Sequence, residues 1–515
     1  MRLLLITIPI LLSTTECHAL SASGINPKPI RKVAIVGSGI AGLSLAHALE
    51  NSSNLLSYGD GQSIHVTMYD ARPSLNYNTG AGVQLTGGMS VLRKINPQVQ
   101  RAVVDASLPL KRIESRTKPW FPNNGKEFES LLSIEVGEAF REVGGRSTEE
   151  LILDKEVMAF TILRGALQEV LMETLPKSTA ERVYFKKCLT SIGGQENGVL
   201  VGFDDGSEEG PFDLVVGCDG VNSVVKEYIS SGTISKSSEK QKSAIYSGIR
   251  IRYAVQDTTP TPTPNAKQEA TLFQYFGNGA YALAGTYGAG KGRDPVQCAY
   301  TIYLDDEYIG PFRKKDSNRP TGRVDENVDW SEMAQGTATR RMMLQQIQDS
   351  GVPDSLVRPI IEKSSRFFEL GVYLHNPFSS RGWRKQIPGS GGRFCTMAGD
   401  AAHAMPPFLG QGANQAIQDS YCLAKMIFEY NAALGESDNS RDEINFEDTL
   451  RSYEKIRWEP TTNISVKSAV LGYLEAGPGL ISKLRDVVFF TLGKLGIAKK
   501  VYVNAALPKV DREDS

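Results

Sequence analysis

The sequence predicts an α/β fold: a mainly parallel sheet flanked by helices, interrupted by a second, mostly antiparallel sheet and followed by C-terminal helices. Three observations predict it. Two stretches, Val33 to Glu50 and Asp213 to Lys226, each run from a short apolar block through a glycine-containing turn into a helical pattern, as buried parallel strands do. Between residues 244 and 303 the texture changes to apolar residues at alternate positions, the mark of strands in an antiparallel sheet. The parallel texture returns after Arg393, where an apolar strand again ends in a Gly-Asp turn ahead of a long helix.

The first stretch carries the most chemistry. Val33 to Val36 runs straight into the turn Gly37-Ser38-Gly39-Ile40-Ala41-Gly42, and Leu43, Ala46 and Leu49 follow at helical spacing. Gly37 permits the tight turn, Gly39 lets a pyrophosphate approach the backbone, and Gly42 lets helix and strand pack closely. The free N–H groups and positive end of the helix then face phosphate oxygens. Asp70, closing the strand Ile64 to Tyr69, suits a ribose diol, although it lies 28 residues beyond Gly42 where about 20 is usual. The excess, Asn51 to Gln62, reads as an extended loop. Dinucleotide binding is the function these residues predict.

Length and composition set wide bounds. At roughly 100 to 200 residues per domain, a chain of 515 residues makes two or three domains. A formal net charge of −1 argues against a nucleic-acid-binding surface or a polybasic membrane footprint. The six cysteines, Cys17, Cys188, Cys218, Cys298, Cys395 and Cys422, form no CxxC pair, and no two of the five histidines have metal-ligand spacing, so neither a metal site nor a disulfide framework is expected. Residues 1 to 24 stand apart. One early positive charge, an apolar run from Leu3 to Leu12 and the small Ala19 after Cys17-His18 read as a secretory signal peptide, too short to span a membrane. The acid-free stretch Leu20 to Lys32 resembles the transit segment behind the signal peptide in algae with complex plastids, which makes a plastid one destination.

Past Asp70, Ala71-Arg72-Pro73 leads to Thr79 to Leu85, where the glycines around Gly82 and Val83 mark backbone that approaches something closely. A helix from Gly88 to Ile95 follows, and residues 105 to 150 carry no functional signal. Phe160 to Leu175 enters an amphipathic helix through a strand. Arg164 at its start opposes the helix dipole, which points to an anion partner, with a surface salt bridge as the alternative. Val183 to Phe203 reads as strand and hairpin. In the turn after residue 217, Asp219 is expected to contact the ribose or nicotinamide side of a ligand unless it merely forms the turn, and Asn222 or Ser223 caps the next helix. Strands at Ala244 to Val255, Thr271 to Gly285 and Gln297 to Tyr303 form the inserted sheet, with Thr258 to Pro264 and Lys314 to Asn327 as surface loops. Arg250 and Tyr281, on those strands, are candidates for a substrate pocket and otherwise ordinary sheet positions. A helical region, Trp330 to Glu362, precedes a strand at Phe367 to Leu374.

In the third stretch Gly399-Asp400 ends a strand, Pro406-Pro407 forces an extended turn, and Gly410-Gln411-Gly412-Ala413-Asn414 opens a long helix whose bare N–H groups favour negative charge nearby. His403, between them, is read as structural. The tail from Ser468 has apolar helical stretches around Leu480 to Leu495 broken by Lys483, Arg485, Asp486 and Lys494, and no run reaches the ~20 residues of a spanning helix. Packing on the inserted sheet is the preferred reading of the tail; peripheral contact with a membrane is the other.

With these motifs in place the chain resembles the group A flavin-dependent aromatic hydroxylases, the family of salicylate and p-hydroxybenzoate hydroxylases, with zeaxanthin epoxidase and kynurenine monooxygenase as relatives. The resemblance runs from Arg31 to Asn463 and rests on three fingerprints in order: the glycine turn at 37–42, Asp219-Gly220, and Gly399-Asp400 running into PPFLGQGANQAIQD. It implies a Rossmann-like FAD-binding domain of the glutathione-reductase type in two parts, 31–240 and 391–465, with substrate-side strands near 85–155. A substrate-binding β-sheet domain at 241–390 and a helical tail at 466–515 complete it. Gly37, Gly39, Gly42, Asp70, Arg72 and Arg164 would hold the adenosine and pyrophosphate, Asp400 the ribityl or ribose side, and Gly410 to Asn414 the flavin ring. Ser38, Ile40, Ala41, Ala71, Gly82, Val83, Asp219, Gly399 and Pro406 would border the same cofactor.

The resemblance further implies NADH or NADPH as reductant, O2 as co-substrate, and a flavin C4a-hydroperoxide that hydroxylates or epoxidises a small aromatic or isoprenoid-like molecule. No catalytic acid or base is identifiable. A flavoprotein dehydrogenase, reductase or halogenase on the same fold, and a non-catalytic flavin-binding redox protein, are the alternatives. Departures from the pattern are Asp70 for Glu, Cys218 for Ala and Lys226 for Arg; the last replaces a fork by a point charge and weakens any anion contact made there.

Overall fold

The computed structural model describes residues 27–511 except 51–54, 56, 58, 78–79, 122–124, 143–145, 236–243, 258–268, 306–307, 310–311, 314–335, 380–381 and 437–443. The leader at 1–24, half of the loop expected at 51–62, and the surface loops expected at 258–264 and 314–327 lie outside the described residues.

The apolar strand Lys32–Val36 sits near the middle of a six-stranded sheet. Its order is Arg384–Gln386, Phe394–Met397, Leu214–Gly217, Lys32–Val36, His65–Asp70, Val183–Phe185. Every pairing is parallel except the first. Strands Phe394–Met397 and Leu214–Gly217 are buried at all four positions, because helices cover both faces, and so read as apolar runs instead of alternating ones. The register sets Val36 opposite both Gly217 and Tyr69, and Gly217 opposite Met397. Three turns therefore leave the sheet side by side at the C-terminal ends of their strands, where open α/β sheets bind ligands. Helix Ile40–Glu50, buried along nearly its whole length, packs against helices Gly412–Glu436 and Arg164–Glu173.

The second sheet has nine strands. Eight follow the order Arg366–Leu374, Ile245–Gln256, Val296–Leu304, Ala280–Tyr287, Ala270–Phe276, Leu108–Thr117, Phe160–Leu163, Gly82–Leu85, and Glu129–Glu135 pairs with Leu108–Thr117. All pairings are antiparallel except that of Ala270–Phe276 with Leu108–Thr117. The substrate-side strands expected near 85–155 are present, spread over 82–163, and one boundary shifts. Four of the nine strands come from residues before 164, and Arg384–Gln386, expected within the inserted domain, is instead the edge of the parallel sheet. Of the helical region expected at 330–362, residues 330–335 lie outside the described residues and the rest holds two helices, Thr337–Ser350 and Val357–Lys363; the first stops at Gly351, whose φ of +65° suits a left-handed cap. Both pack on one face of the large sheet through Met343, Ile347, Val357 and Ile361. Helices Phe446–Glu475, Leu480–Lys494 and Ile497–Ala506 complete the described chain, and none of its helices is long and apolar enough to cross a membrane.

Candidate cofactor site

The three turns interlock through backbone contacts. Gly37 N donates to Tyr69 O at 2.7 Å, Cys218 N to Val36 O at 2.7 Å, and Ala398 N to Gly217 O at 3.0 Å. Gly37 has φ +103°, and a Cβ there would overlap the Cys218 carbonyl oxygen. At Gly42 a Cβ would overlap the Gly37 carbonyl, the close helix–strand approach the spacing predicts. Gly399, at φ +64°, would set a Cβ 2.8 Å from the Ala41 Cβ, so the third turn presses on the first helix. Gly39 and Gly412 differ: a Cβ at Gly39 meets nothing nearer than 4.0 Å, and one at Gly412 meets nothing within 4 Å. The protein thus fills the space beside Gly37, Gly42 and Gly399 and leaves it open beside Gly39, Gly412 and the second-turn Gly220.

Several side chains named from sequence are already bonded within the protein. Asp70 is buried, and its carboxylate accepts from Ser38 N (2.8 Å), Ser38 Oγ (2.6 Å), and Arg72 Nε (2.9 Å) and Nη2 (2.7 Å). Burial alone would raise its pKa, but Arg72 and Ser38 outweigh burial and hold it down to about 2. The carboxylate expected to meet a ribose is therefore also the brace of the first turn. Asp219 accepts from Ser223 Oγ (2.5 Å) and Val224 N (2.7 Å), capping helix Val224–Ser231 together with Ser223, which accepts from Lys226 N. Burial pushes the Asp219 carboxyl up despite these bonds. Its visible work is the turn and cap, not an open ligand contact.

Asn414 shows the same pattern. Its Oδ1 accepts from Thr86 N (2.8 Å) and Gly88 N (3.0 Å), and its Nδ2 donates to Gln84 O (2.9 Å) and Gly410 O (3.2 Å). It ties strand Gly82–Leu85 to the helix beginning at Gly412, so it positions the site and has no bond to spare for a ring. The close approach expected at Gly82 is to protein: its N–H donates to Tyr300 Oη at 2.7 Å, and a Cβ would overlap the Tyr287 ring. Val83 is half-buried behind it. The Pro406 carbonyl accepts from Ser468 Oγ at 2.6 Å.

Other groups remain available. Arg164 is exposed, its N–H donates to Ala81 O at 3.0 Å, and no acid pairs with its guanidinium among the described residues. Ala71 and Arg72 are exposed beyond the strand end, Ser38, Ile40 and Ala41 are buried, and Asp400 is exposed at the start of its short helix. Ala413 is half-buried in the first turn of helix Gly412–Glu436. Gln411 is buried with no donor to its Oε1 among the described residues. An isoalloxazine carries a ring N–H and negative charge when reduced, and a pyrophosphate carries two negative charges. An orphaned buried acceptor, an open helix N-terminus, an unpaired arginine and space at Gly39 fit those groups.

Arg250 and Tyr281 need correction. Arg250 pairs with Asp305 at 2.8 Å and Glu369 at 3.2 Å, and Tyr281 is fully buried and hydrogen-bonded to Glu475. Both are committed to partners inside the protein, so neither stands as a pocket group.

Sequence reasoning missed what pins the third turn. Fully buried Asp419 accepts from Gly399 N (2.7 Å), from His403 Nε2 (2.6 Å) and from Arg457 Nε (2.7 Å). Burial opposes its charge, yet His403 and Arg457 hold its pKa low. No local signal marks Arg457, which lies 38 residues from its acid. In the sequence Lys226 stands out only as a departure from the family pattern. Its Nζ donates to Ala402 O at 3.1 Å and Ala401 O at 3.4 Å, linking the second turn to the third, and burial lowers its pKa to about 8 against the pull of Asp219.

Fold and site together define a flavin-dependent oxidoreductase. A family model for an NAD(P)-binding Rossmann-like domain matches residues 35–106, and one for an FAD-binding domain matches 389–438. Salicylate hydroxylase of Pseudomonas putida is 25% identical over 444 residues, covering 84% of each chain. The 6-hydroxynicotinate 3-monooxygenase of Pseudomonas fluorescens is 24% identical over 411 residues, 78% of this chain and 83% of that one. In fold the chain is similar to Klebsiella pneumoniae HpxO complexed with FAD and uric acid, with a TM-score of 0.63 and 17% identity over 92% of this chain and 96% of that one. Over most of its length the chain is thus similar to FAD-dependent monooxygenases, aromatic hydroxylases among them.

Proposed function

We propose that the protein uses NADH or NADPH and O2 to insert one oxygen atom into a small, mostly apolar or aromatic molecule, by hydroxylation or epoxidation. The observation that carries this reading is the interlocking of three strand-end turns around the open backbone at Gly39 and Gly412. Reduced FAD supplies the activation of oxygen, which no side chain can perform. The chain's own work is binding, orientation and charge. Gly39 and the N-terminus of helix Ile40–Glu50 would receive the pyrophosphate, with Arg164 as its counter-charge. The N-terminus of helix Gly412–Glu436 would stabilise negative charge on the ring, a fixed dipole needing no rearrangement. Asn414 and Asp419 hold that helix and the third turn in place.

The Rossmann-like match at 35–106 covers the only glycine turn of this spacing in our reading, which we assign to the ADP half of FAD; the nicotinamide would then visit without a second sheet domain. The names of relatives, salicylate hydroxylase, 6-hydroxynicotinate 3-monooxygenase and kynurenine 3-monooxygenase, favour aromatic acids as the first substrates to try. The test is a screen of phenolic acids, N-heteroaromatic acids and carotenoids for substrate-stimulated NAD(P)H oxidation, with oxygen uptake recorded. The expected outcome is stimulated uptake with label from ¹⁸O2 in the product. Stimulated NAD(P)H oxidation with no oxygen uptake would move the assignment to a dehydrogenase or reductase. The leader is proposed to route the chain through the secretory pathway, with a plastid as a destination; a fluorescent fusion of residues 1–35 that stays cytosolic rejects this.

A further inference from the structure

The end of the chain turns apolar side chains outward and polar ones inward, the reverse of an ordinary surface helix. In helix Leu480–Lys494, Leu480, Leu484 and Val487 share one face and are 80%, 58% and 58% exposed, while Ser482 and Arg485 on the other face are buried with Phe489. Arg485 fixes that orientation. Its Nη1 donates to Glu475 O at 2.8 Å, its Nε and Nη2 donate to Asp486, and its guanidinium lies 4.5 Å from the centre of the Phe276 ring. Rolling the apolar stripe inward would strip a buried guanidinium of these partners. The preceding helix repeats the pattern with Val466, Val470 and Tyr473, and the following one with Ile497 and Val501. The three helices pack in succession. Ten of the eighteen large apolar residues exposed among the described residues fall within 466–501, which makes a patch instead of scattered singles.

Within 466–501 the exposed charges have one sign, with Glu459 and the Glu138 and Glu142 pair as the acids at its two ends. Lys467, Lys483, Lys494 and Lys500 are exposed, whereas the only acids in 466–501 face inward or are paired: Glu475 is buried, and Asp486 is bonded to Arg485 and Thr117. Lys494 Nζ stands 4.4 Å from the centre of the Phe490 ring, and the exposed Trp120 ring meets it at a centroid distance of 5.0 Å.

We propose that this face rests on a lipid bilayer bearing anionic headgroups, with Leu480, Leu484 and Val487 at the acyl boundary and the lysines at headgroup level. A second copy of the chain fits less well, because a two-fold pairing would set the lysine borders against one another. Anionic headgroups remove that repulsion. A spanning anchor does not apply, since no described helix is long and apolar enough.

Flotation of the FAD-loaded full chain with phosphatidylcholine vesicles, with and without phosphatidylglycerol, tests this. Wild type should float with the anionic vesicles and be released by high salt. The combined variant Leu480→Asn, Leu484→Asn, Val487→Asn should bind about tenfold more weakly or worse, with unchanged circular dichroism and flavin absorbance. Lys483→Gln with Lys494→Gln should lose the preference for anionic vesicles. The proposal is overturned if wild type floats with neither vesicle, or if the apolar variant floats equally well, since the leader or another surface is then responsible. A wild-type dimer that the apolar variant turns into a monomer, with no vesicle binding by either, overturns it too and assigns the face to a second copy.

Discussion

At the scale of single residues, Gly39 and Gly42 belong to one motif but do different things. A methyl at Gly42 would strike the Gly37 carbonyl, so Gly42→Ala should damage folding itself; a methyl at Gly39 has room, so Gly39→Ala should fold normally and lose FAD affinity. Urea unfolding of the apoprotein alongside FAD titration separates the two outcomes, with Gly39→Ala expected within about 0.5 kcal/mol of wild type in stability and at least about tenfold weaker for FAD. His47 gives a second residue-level prediction. It is buried, its Nε2–H donates to Leu171 O at 2.8 Å, and burial lowers its pKa from 6.5 to about 4. The unfolded chain therefore takes up the proton first. Stability should hold above pH 6.5 and fall by up to about 3 kcal/mol between 6.5 and 4, and His47→Gln should remove most of that step.

At the scale of elements, buried charge decides how helices attach to sheets. Glu475 closes helix Phe446–Glu475 beneath the large sheet, and burial raises its pKa to about 8 although Tyr281, Arg485 and Gln274 oppose the shift. A carboxyl raised in this way stabilises fully below its unfolded value of 4.5, and its contribution is lost as pH rises towards 8. Glu475→Gln should therefore match wild type near pH 4.5 and exceed it at pH 8.5, by on the order of 5 kcal/mol. Thermal melts at the two pH values check the sign. The third turn rests on a fully buried ion pair, Asp419 with Arg457, and removing one partner strands the other. Asp419→Asn should cost about 3 to 5 kcal/mol in urea unfolding and loosen FAD, because Gly399 N and His403 share the same carboxylate.

At the scale of the whole molecule, what could be read from sequence was what short-range pattern encodes. Each strand–turn–helix unit announces itself within about twenty residues, because a buried parallel strand is an uninterrupted apolar run and its turn needs glycine. The order of the large sheet was not legible. Strands Leu108–Thr117 and Ala270–Phe276 pair across more than 150 residues with no sequence mark of the match. The fates of Asp70, Asp219 and Asn414 were half legible: their positions are right for a site, but only coordinates reveal that protein donors already occupy their oxygens. In the tail the apolar period was plain and its direction was not, since Arg485 takes the inward face where a leucine would be expected.

All of this depends on one cofactor lying where the three turns meet, and FAD titration of the purified full chain, followed by quenching of flavin fluorescence, tests that most directly. The account predicts saturation at one FAD per chain and little binding by Gly39→Val, whose branched side chain would fill the space left at the first turn. A chain that is folded by circular dichroism yet quenches no flavin, or a Gly39→Val variant that binds FAD as wild type does, would contradict it.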